Sequence, residues 1–406
     1  MRFAVVGSGV SGLTAAHLLR ERGEVTLFEA DDRLGGHAHT HDLDGQGVDS
    51  GFIVHNDRTY PHLTRLFREL EVATRDTEMS LSVSCAGCGL EYAGARGAAG
   101  LLARRRVSPR YARLLAQVPR FHRRARALLA TGTDETTLRE FLAAEDFTPY
   151  FVRHFVTPLV AAVWSCAPGT ALDYPARHLF VFLANHGMLS ITGSPRWRTV
   201  VGGSRTYVER VAAGLDSVRV STPVTAIVRG DSGLEVRTPG GAETFDAAVV
   251  ATHPAHALRM LADPTPAEEK ILGAFTYTPN TAVLHGDASV LPRAAGARAS
   301  WNYAMDACDT SADRVRVTYD MNRLQGLPGP GRYLVSLGAD IAPDRVLARM
   351  EYEHPVFTRE AVAAQALLPS LNGPALAFAG AYHGWGFHED GCRSGVAAAA
   401  ALGARW

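Results

Sequence analysis

Lysine is almost absent from this 406-residue chain, since Lys270 is the only one and nearly all of the positive charge is carried by arginine. Lysine and arginine together number 41, as do aspartate and glutamate, so the formal net charge is zero. This balance argues against general binding of polyanions, including nucleic acids. No uninterrupted apolar run reaches the roughly 18 residues that a membrane-spanning helix needs. We therefore expect a globular protein without a transmembrane helix.

Cysteine is also scarce, with 5 in the whole chain. That number is too small for a disulfide framework in a chain of this length, and it is compatible with a reducing cytoplasm. The first apolar segment is interrupted by Gly7, so it predicts a β-strand and not a signal peptide. We predict a cytoplasmic location, and contact with the inner face of the membrane stays open because of an arginine-rich segment described below.

The first 36 residues are the most informative part of the chain. An apolar strand ends in the pattern Gly7-x-Gly9-x-x-Gly12, a helical run continues to Arg22, and a second strand ends at Glu29, 22 residues after Gly7. Gly7 permits a tight turn, Gly9 lets backbone N–H groups approach a pyrophosphate, and Gly12 lets the helix and strand pack closely. Glu29 would accept hydrogen bonds from a ribose, and the positive end of the helix dipole would face the phosphates. The sequence thus predicts a dinucleotide-binding unit.

The next residues distinguish between two dinucleotides. Arg33-x-Gly35-Gly36 resembles the RxGG motif that follows the ribose-binding acid in FAD proteins of the glutathione-reductase type. That motif is typical of flavin amine oxidases, phytoene desaturases and protoporphyrinogen oxidases. The resemblance implies that the cofactor is FAD and not NAD, with a second glycine pair near the pyrophosphate and Arg33 supplying positive charge.

Two later segments resemble the places where such FAD domains return to the cofactor. The first includes the strand pattern of residues 218–228, and the resemblance places Val224 at the adenine side. The second runs from a strand near Gly380 to a helix of small residues at 391–402, whose N-terminus would face the pyrimidine edge of the flavin. The residues predicted to bind FAD are Gly7, Gly9, Val10, Ser11, Gly12, Glu29, Ala30, Arg33, Gly35, Gly36, His37, Val224, Gly380, Glu389 and Asp390.

We predict an α/β fold in which a discontinuous, glutathione-reductase-type FAD-binding Rossmann domain carries an inserted α+β substrate domain. A chain of 406 residues exceeds one ordinary core, so two domains are expected. The FAD-binding domain would take residues 1–78, 201–262 and 373–406, and the substrate domain residues 79–200 and 263–372. Because only one dinucleotide fingerprint is present, reoxidation of the flavin would need oxygen, a quinone or a separate carrier.

Departures from the amine oxidase pattern bear on the substrate. Amine oxidases of this superfamily usually hold a lysine near the flavin on the strand that here spans residues 279–285, and this strand has none. Phe387 stands where monoamine-oxidase-like enzymes have a cage tyrosine, and Gly380-Ala381 stands where many relatives have Gly-Asp. These departures weigh against ordinary amine oxidation without excluding it.

Histidine and cysteine patterns offer metal sites, but other interpretations are favoured. His37, His39 and His41 alternate along the chain, and their place directly after the second glycine pair favours contact of His37 with the cofactor. Cys85 and Cys88 form a CxxC motif without a second pair, and the strand patterns on both sides favour a hairpin tip over zinc or redox chemistry. We predict no metal ion.

Ten arginines and no acid lie between Glu91 and Asp134. Residues 110–130 have the apolar spacing of a helix, so the arginine-rich segment 104–126 is predicted to form a basic amphipathic helix. Such a helix docks on an anionic membrane surface or an acidic carrier protein, or else packs its apolar face into the core with its basic face in solvent. The sequence leaves these alternatives open, and it leaves the oligomeric state open as well.

Over its whole length the chain resembles a bacterial family of NAD/FAD-binding proteins, a branch of the flavin amine oxidase, phytoene desaturase and protoporphyrinogen oxidase superfamily. The phrases GGHAHT, DSGFIVHNDRTYP and GFHEDGCRSG carry this resemblance. It implies an FAD-dependent oxidoreductase, and the leading hypothesis is removal of hydride from a small hydrophobic substrate, a fatty-acyl or polyene lipid.

Tyr382, His383 and His388 are the catalytic candidates, because the resemblance places them beside the flavin edge, where they could handle a proton. Three alternatives to the leading hypothesis remain. They are a flavin amine oxidase, a redox-neutral double-bond isomerase, and a non-catalytic FAD-bound partner of a lipid-modifying enzyme.

Overall fold

The computed structural model describes residues 1–103, 107–131, 136–190, 192–231, 233–309 and 313–406 of the chain. These residues form two compact units within a mixed α/β fold. The first unit consists of Met1–Arg75, Val200–Thr276 and Glu360–Trp406, and the second of Asp76–Thr199 and Tyr277–Arg359. The chain therefore leaves and re-enters the first unit twice.

A parallel five-stranded sheet forms the centre of the first unit. In spatial order its strands are Ser217–Arg219, Glu24–Phe28, Arg2–Val6, Ala247–Val250 and Leu376–Phe378. In the middle strand, Val5 is paired with Leu27 on one side and with Val249 on the other. Apolar β-branched runs are typical of parallel strands covered on both faces, and Ala247–Val250 is buried throughout.

Two helices of the first unit pack closely against each other. Every residue of Val10–Leu19 is buried, and the partner helix is His388–Ala401. A Cβ atom on Gly395 would lie 2.3 Å from the carbonyl oxygen of Ser11. The small residues of the second helix are therefore required by this close approach of two backbones.

The first unit is completed by shorter elements around the parallel sheet. Its other helices are Pro61–Glu69, Arg205–Ala212, Pro254–Met260, Pro266–Leu272 and Arg359–Gln365, with 3-10 turns at Leu368–Leu371 and Ala381–His383. Its other strands are Thr40–Leu43, Gln46–Asp49, His55–Asn56, Thr74–Asp76, Ala226–Gly230, Gly233–Thr238 and Gly241–Phe245.

Two boundaries between the units differ from the predicted ones. The first unit continues to Thr276 and resumes at Glu360, where the sequence analysis placed the changes after 262 and 372. The helix Pro266–Leu272 packs on Pro254–Met260 and on the turn Leu368–Leu371, which in turn packs on the edge strand of the sheet. Tertiary packing thus holds both segments in the first unit, and no sequence pattern marks that packing. The other two changes lie at 75 and 199, beside the predicted 78 and 200.

A mixed seven-stranded sheet forms the centre of the second unit. In spatial order its strands are Val346–Val356, Thr276–His285, Leu334–Leu337, Val317–Asp320, Trp301–Met305, Leu81–Cys85 and Leu90–Gly94. The pair Trp301–Met305 and Leu81–Cys85 is parallel, whereas Leu81–Cys85 and Leu90–Gly94 form an antiparallel hairpin. An additional strand is Trp197–Val200.

The helices of the second unit enclose a cluster of aromatic rings. They are Gly97–Leu101, Pro109–Ala130, Leu138–Ala144, Pro149–Phe151, the π-helix Val152–Val156, Thr157–Trp164, Pro168–Asp173, Ala176–Asn185 and Met321–Gln325, with 3-10 turns at Ala288–Val290, Ala295–Ala297 and Pro343–Arg345. The fully buried ring of Phe121 lies 5.7 to 6.4 Å from the rings of Phe141, Phe147, Phe151, Phe155 and Phe180. Phe121 belongs to Pro109–Ala130, so the apolar face of this helix lies in the core.

The arginines of the predicted amphipathic helix divide into two groups. The exposed group on Pro109–Ala130 consists of Arg110, Arg113, Arg123, Arg124 and Arg126, of which Arg124 pairs with Glu145. The Arg120 guanidinium, in contrast, lies 5.0 Å from the ring centroid of Phe147 and donates to the carbonyl oxygen of Glu145. Arg104, Arg105 and Arg106 lie outside the described residues. Only the basic face of this helix is thus available to a partner. Across the part of the chain that the structure describes, we find no helix of a length and apolar character suited to crossing a membrane.

Candidate functional site

The first glycine loop has the shape that its motif predicts. Gly7 has φ of +99°, and its N–H donates to the carbonyl oxygen of Phe28 over 2.8 Å. A Cβ atom on Gly12 would lie 1.9 Å from the carbonyl oxygen of Gly7, so any side chain there would collide with backbone. A Cβ atom on Gly9 would meet nothing within 4 Å. The loop therefore presents open space at Gly9, at the N-terminus of a helix that begins at Val10 and continues through Ser11.

Glu29 is held at the end of the second strand by Ser8, a residue that the sequence analysis did not select. Glu29 Oε2 accepts hydrogen bonds from the backbone N–H of Ser8 at 2.8 Å and from Ser8 Oγ at 2.5 Å. Glu29 Oε1 accepts from the N–H of Asp31 at 3.0 Å, and Ala30 between them is exposed. The carboxylate is thus positioned beside the glycine loop, as a ribose-binding acid must be.

The second glycine pair lies directly against the first loop. The Gly35 N–H donates to Ser8 Oγ at 3.0 Å, and a Cβ atom on Gly36 would lie 3.3 Å from the Cα of Gly9. Arg33 Nη1 donates to the carbonyl oxygen of Gly36 at 2.8 Å, which keeps its positive charge at this loop. His37 follows, and its carbonyl oxygen accepts from the N–H of Phe52. The two motifs form one backbone cradle.

The middle segment passes beside Glu29. The Thr222 N–H donates to the carbonyl oxygen of Glu29, and the Ser221 N–H to that of Asp31, both over 2.8 Å. Val224 follows two residues later and is buried. The structure thus brings Val224 into the neighbourhood of the predicted ribose-binding acid.

A loop near the cradle depends on Asp49, which the sequence analysis also missed. The Asp49 carboxylate accepts hydrogen bonds from Thr40 Oγ1 at 2.6 Å, from Ser204 Oγ at 2.8 Å and from the Ser204 N–H at 2.9 Å. Burial raises the pKa of Asp49 to about 6. Gly203 has φ of +93°, and a Cβ atom there would collide with Thr40. An acid placed just after a strand pattern, in the phrase DSG, was the signal that could have indicated this role.

Asp390 shapes the turn before the last helix. Its Oδ2 accepts from the N–H groups of Trp385 at 3.0 Å and Phe387 at 3.1 Å, and its Oδ1 from Arg393 at 3.1 Å. Burial raises the pKa of Asp390 to about 6. The Gly380 N–H donates to Ser394 Oγ on the same helix. These contacts fix the N-terminus of His388–Ala401.

Glu389 caps a different helix instead of facing the cradle. One carboxylate oxygen lies 2.7 Å from His62 Nδ1, and the other accepts from the Leu63 N–H at 3.0 Å. These residues belong to the first turn of Pro61–Glu69, where unpaired N–H groups favour an acid. Both carboxylate oxygens of Glu389 are thus engaged by that turn, and its contact with the cofactor stays a prediction.

Tyr382 and His383 have polar atoms without a hydrogen-bond partner among the described residues. Tyr382 is 1% exposed, and neither its hydroxyl nor His383 Nε2 is bonded. Burial, with a contribution from Arg393, lowers the pKa of His383 to about 4, and burial raises the pKa of Tyr382. Buried polar atoms without partners are rare in folded proteins and call for an explanation, such as a ligand. The pair thus remains a candidate for proton handling.

His388 lies in a packed aromatic environment. Its ring stacks on Phe52 with centroids 3.8 Å apart, and its Nε2 lies 3.2 Å from Tyr207 Oη. Burial, followed by the charge of His55, lowers the pKa of His388 to about 3. These contacts hold the His388 ring in place, and its part in proton handling stays a prediction.

A cavity of about 670 Å³ lies at the end of the parallel sheet opposite to the Gly7–Gly12 loop. Met1, Asp246 and Leu376 line it, and all three are at the amino ends of strands. In open α/β sheets, ligands bind at the carboxyl ends, where the Gly7–Gly12 loop lies. This cavity is therefore not the cofactor site.

The structure places the histidine pattern and the cysteine pattern in two different local environments. His41 Nε2 lies 3.0 Å from Ser50 Oγ, and burial lowers the pKa of both His39 and His41. Cys85 and Cys88 lie at the turn of the hairpin formed by Leu81–Cys85 and Leu90–Gly94, where the hairpin tip was predicted.

Comparisons with known proteins agree with this geometry. A family model described as flavin containing amine oxidoreductase matches residues 10–289. A putative flavin-containing monoamine oxidase, AofH, from Mycobacterium tuberculosis is 28% identical over 274 residues, which is 64% of this chain and 58% of that protein. The matched part thus spans less than two thirds of that relative.

Solved structures with the same fold act on different substrates. Putrescine oxidase bound to putrescine superposes with a TM-score of 0.72 at 15% identity and covers 99% of both chains. A CLA-producing fatty acid isomerase from P. acnes superposes with a TM-score of 0.68 at 16% identity, covering 97% of this chain and 96% of the other. At these identities the likeness concerns the fold alone.

Proposed function

The chain belongs to the flavin containing amine oxidoreductase family, and from this premise we propose that it is an FAD-dependent oxidoreductase acting on a fatty-acyl or polyene lipid. The substrate class is supported by the strand Thr276–His285, which lacks the lysine that amine oxidases of this superfamily usually hold there. Lys270 is exposed on a separate helix, Pro266–Leu272, and does not replace it.

The residues of the first unit fit FAD in a glutathione-reductase-type arrangement. Open space at Gly9, the N–H groups at the start of Val10–Leu19 and the adjacent Gly36 would receive the pyrophosphate. Glu29 would exchange its hydrogen bonds with Ser8 for contacts with ribose hydroxyls. FAD, when bound, accepts hydride from the substrate. The N-terminus of His388–Ala401, fixed by Asp390, would stabilise negative charge nearby.

Tyr382 and His383 would hold or move the proton that accompanies hydride removal. His383 is neutral above a pH of about 4, and its unbonded Nε2 would be available to the substrate or to the proton. Gln365 Nε2 donates to the carbonyl oxygen of Tyr382 at 2.9 Å, which fixes the 3-10 turn Ala381–His383. The turn is therefore rigid enough to position both groups.

The exposed arginines of Pro109–Ala130 would bring the protein to an anionic lipid surface. Arg113, Arg123 and Arg126 face solvent, while the apolar face of the helix is buried. Attraction would therefore be electrostatic, without insertion of the helix, at the cytoplasmic face of the membrane. An acidic carrier protein is the other outcome of the test described in the Discussion.

The decisive experiment is anaerobic titration of the purified yellow protein with two panels. One panel contains unsaturated fatty acids and fatty-acyl thioesters, and the other contains primary amines, including putrescine. Bleaching of the visible flavin band by a lipid is the expected result. Bleaching by amines alone would overturn the substrate class, and conversion of a lipid without oxygen or any net bleaching would identify an isomerase.

A pair of variants tests the proton-handling role with that lipid. His383→Gln is expected to slow flavin reduction by about 100-fold or more, the effect typical of a lost general base. His388→Gln is the matched control, because its ring is packed on Phe52, and a much smaller effect is expected. Equal rates in wild type and His383→Gln would remove His383 from the reaction.

A further inference from the structure

Four side chains of metal-ligating types converge within the second unit. They are Cys85, Cys88, His154 and Cys308, and their ligand atoms all lie within 4.8 Å of one another. Three separate segments of the chain supply them: the hairpin tip, a π-helix and the loop after Trp301–Met305. Over the described ranges, no other group of three or more such side chains comes together in this way.

Two distances within the group are close to those between the ligands of a tetrahedral metal ion. Cys85 Sγ and Cys308 Sγ are 3.6 Å apart, and Cys88 Sγ is 3.7 Å from His154 Nε2. With zinc–sulfur bonds of about 2.3 Å, tetrahedral ligands are separated by about 3.8 Å between two sulfurs and slightly less between sulfur and nitrogen. These two pairs thus have the spacing of ligands on one ion, and all four atoms lie within 4.8 Å of one another.

The sheet and its hairpin bring the three cysteines together. Cys85 ends its strand opposite Met305 in the parallel pair, so the chain reaches Cys308 three residues later on the same side of the sheet. The Ala86 N–H donates to the carbonyl oxygen of Met305 at 2.8 Å. A Cβ atom on Gly87 would lie 3.0 Å from the Cα of Ala307, so glycine allows this close approach of the turn and the loop.

His154 is oriented with one ring nitrogen directed at the cysteines. Its Nδ1 lies 3.0 Å from the carbonyl oxygen of Tyr150, so Nδ1 carries the proton and Nε2 keeps its lone pair. The Tyr150 ring stacks on the imidazole at 4.0 Å, and Arg153 Nη1 donates to the carbonyl oxygen of Cys308 at 2.6 Å. Such outer contacts typically accompany metal-ligating histidines.

The local helix type also indicates a site. His154 lies in the five-residue π-helix Val152–Val156, between Pro149–Phe151 and Thr157–Trp164. Short π-helical segments occur frequently at functional sites, because the extra residue redirects a side chain. Tyr92 Oη donates to the carbonyl oxygen of His154 at 2.7 Å, which anchors this turn to the hairpin strand.

We propose that Cys85, Cys88, Cys308 and His154 bind one zinc ion in a structural Cys₃His site. Four protein ligands fill a tetrahedral shell and leave no position for substrate, which is the arrangement of structural and not catalytic zinc. Three thiols would give up their protons to solvent as zinc–thiolate bonds form, and no oxidant is consumed. The ion would tie the hairpin, the π-helix and the post-strand loop together.

Zinc accounts for the group better than a disulfide does. A disulfide between Cys85 and Cys308 would not explain why the Cys88 thiol lies beside them or why His154 directs Nε2 at the cysteines. Thiolate and imidazole ligands in a tetrahedral set suit zinc among the common divalent ions. The site is independent of the flavin chemistry proposed above, because none of its residues belongs to the cradle.

The test is metal analysis of the protein purified with a thiol reductant and without chelator. Wild type is expected to hold about one zinc per chain. The zinc affinity of Cys88→Ser is expected to be lower than that of wild type by at least about 100-fold. Cys166→Ser is the matched control, because Cys166 is a buried free cysteine of the same unit outside the group. Its zinc content should equal that of wild type.

A second measurement keeps the proposal falsifiable if Cys88→Ser does not fold. Cobalt(II) added to metal-depleted wild type should give the visible bands of a tetrahedral thiolate site, and zinc should displace it. A chelator should lower the melting temperature of wild type and Cys166→Ser, with the flavin spectrum unchanged. No zinc and no cobalt spectrum in reduced, folded wild type would overturn the proposal, as would a Cys85–Cys308 disulfide under those conditions.

Discussion

The cradle of the first unit and the cysteine–histidine group of the second unit differ in how the chain assembles them. The cradle is built from residues 7–36, so its spacing is legible in one short stretch. The metal-ligating group joins Cys85 and Cys88 to His154 and Cys308, and only the first two are neighbours in sequence. The chemistry of a local motif can thus be predicted from one stretch of sequence, whereas only part of a site assembled across a sheet can be recognised in that way.

Glycine variants of the cradle should give the largest effects. Gly12→Ala places a Cβ atom 1.9 Å from the backbone, and such overpacking costs about 3 kcal/mol or more. We therefore expect the melting temperature to fall and the bound flavin to be lost. Gly9→Ala should keep the melting temperature, because Gly9 has φ of −62° and free space around its Cβ position. It should still lose flavin by about tenfold or more, because the methyl group occupies the space for the phosphates. Flavin retained in Gly12→Ala would contradict the close packing described here.

Replacing exposed arginines of the helix Pro109–Ala130 should weaken binding to an anionic membrane surface without destabilising the fold. Each arginine near an anionic surface contributes about 1 kcal/mol, so Arg113→Gln, Arg123→Gln and Arg126→Gln combined should weaken binding to phosphatidylserine vesicles by about 100-fold. The free energy of unfolding should change by less than about 0.5 kcal/mol. Arg120→Gln is the contrasting variant, since Arg120 packs on Phe147 and should affect stability instead. Unchanged vesicle binding would leave an acidic carrier protein, or no partner, for this face.

Glu29 allows a more moderate test of the cradle. Glu29→Gln replaces one acceptor oxygen by an amide donor facing Ser8 or the ribose, and lost hydrogen bonds to a charged group cost about 1.5–3 kcal/mol. Flavin should bind about tenfold to a hundredfold more weakly, measured by fluorescence titration of the apoprotein. Asp31→Asn is the control, because the Asp31 residue is exposed. Equal affinities for the two variants would show that Glu29 does not contact the cofactor.

One buried titratable group in each unit should affect stability with opposite sign. Burial raises the pKa of Asp49 from 3.8 in the unfolded chain to about 6 in the folded protein. The folded protein therefore binds a proton that the unfolded chain has already released, and proton binding stabilises the fold. This contribution to the free energy of unfolding is lost as pH rises through 6. His285, hydrogen-bonded to Ser336 and fully buried, has its pKa lowered by burial to about 4. The unfolded chain binds a proton near 6.5, so this contribution is lost as pH falls from 6.5 towards 4.

Substitutions at these two positions should therefore tilt the stability profile in opposite directions. Relative to wild type, Asp49→Asn should lower the free energy of unfolding at pH 5 against that at pH 7 by about 1 kcal/mol. His285→Gln should raise the same difference by about 2 kcal/mol. Denaturant unfolding at the two pH values measures both. Shifts in the same direction would show that one of the two groups is not charged as described.

The sequence was sufficient where a physical requirement is local. The steric demand at Gly12, the acid Glu29 at the strand end and the apolar spacing around Phe121 are each visible within a few residues, and the structure contains the corresponding loop, strand and helix. The hairpin at Cys85 was likewise indicated by alternation on both sides. These are properties of a chain segment and its backbone, which spacing alone can encode.

The remainder depends on partners that are distant in the chain. Glu389 was expected at the cofactor, yet it caps Pro61–Glu69, and nothing near Glu389 indicates that this helix begins beside it. Asp49 matters because Ser204 arrives next to it, and Cys85 because His154 and Cys308 do. Tertiary neighbours of this kind follow from sheet order and helix packing, which the local pattern does not contain.

The sequence separation between the two packed helices of the first unit also determines how long that unit stays incomplete during synthesis. The packing partner of Val10–Leu19 is His388–Ala401, which emerges only after the whole second unit has been translated. At about 5–20 residues per second, that delay amounts to tens of seconds. A helix that is buried on every side in the folded protein lacks its packing partner throughout that time, so the nascent chain should depend on a chaperone or on provisional burial of this segment.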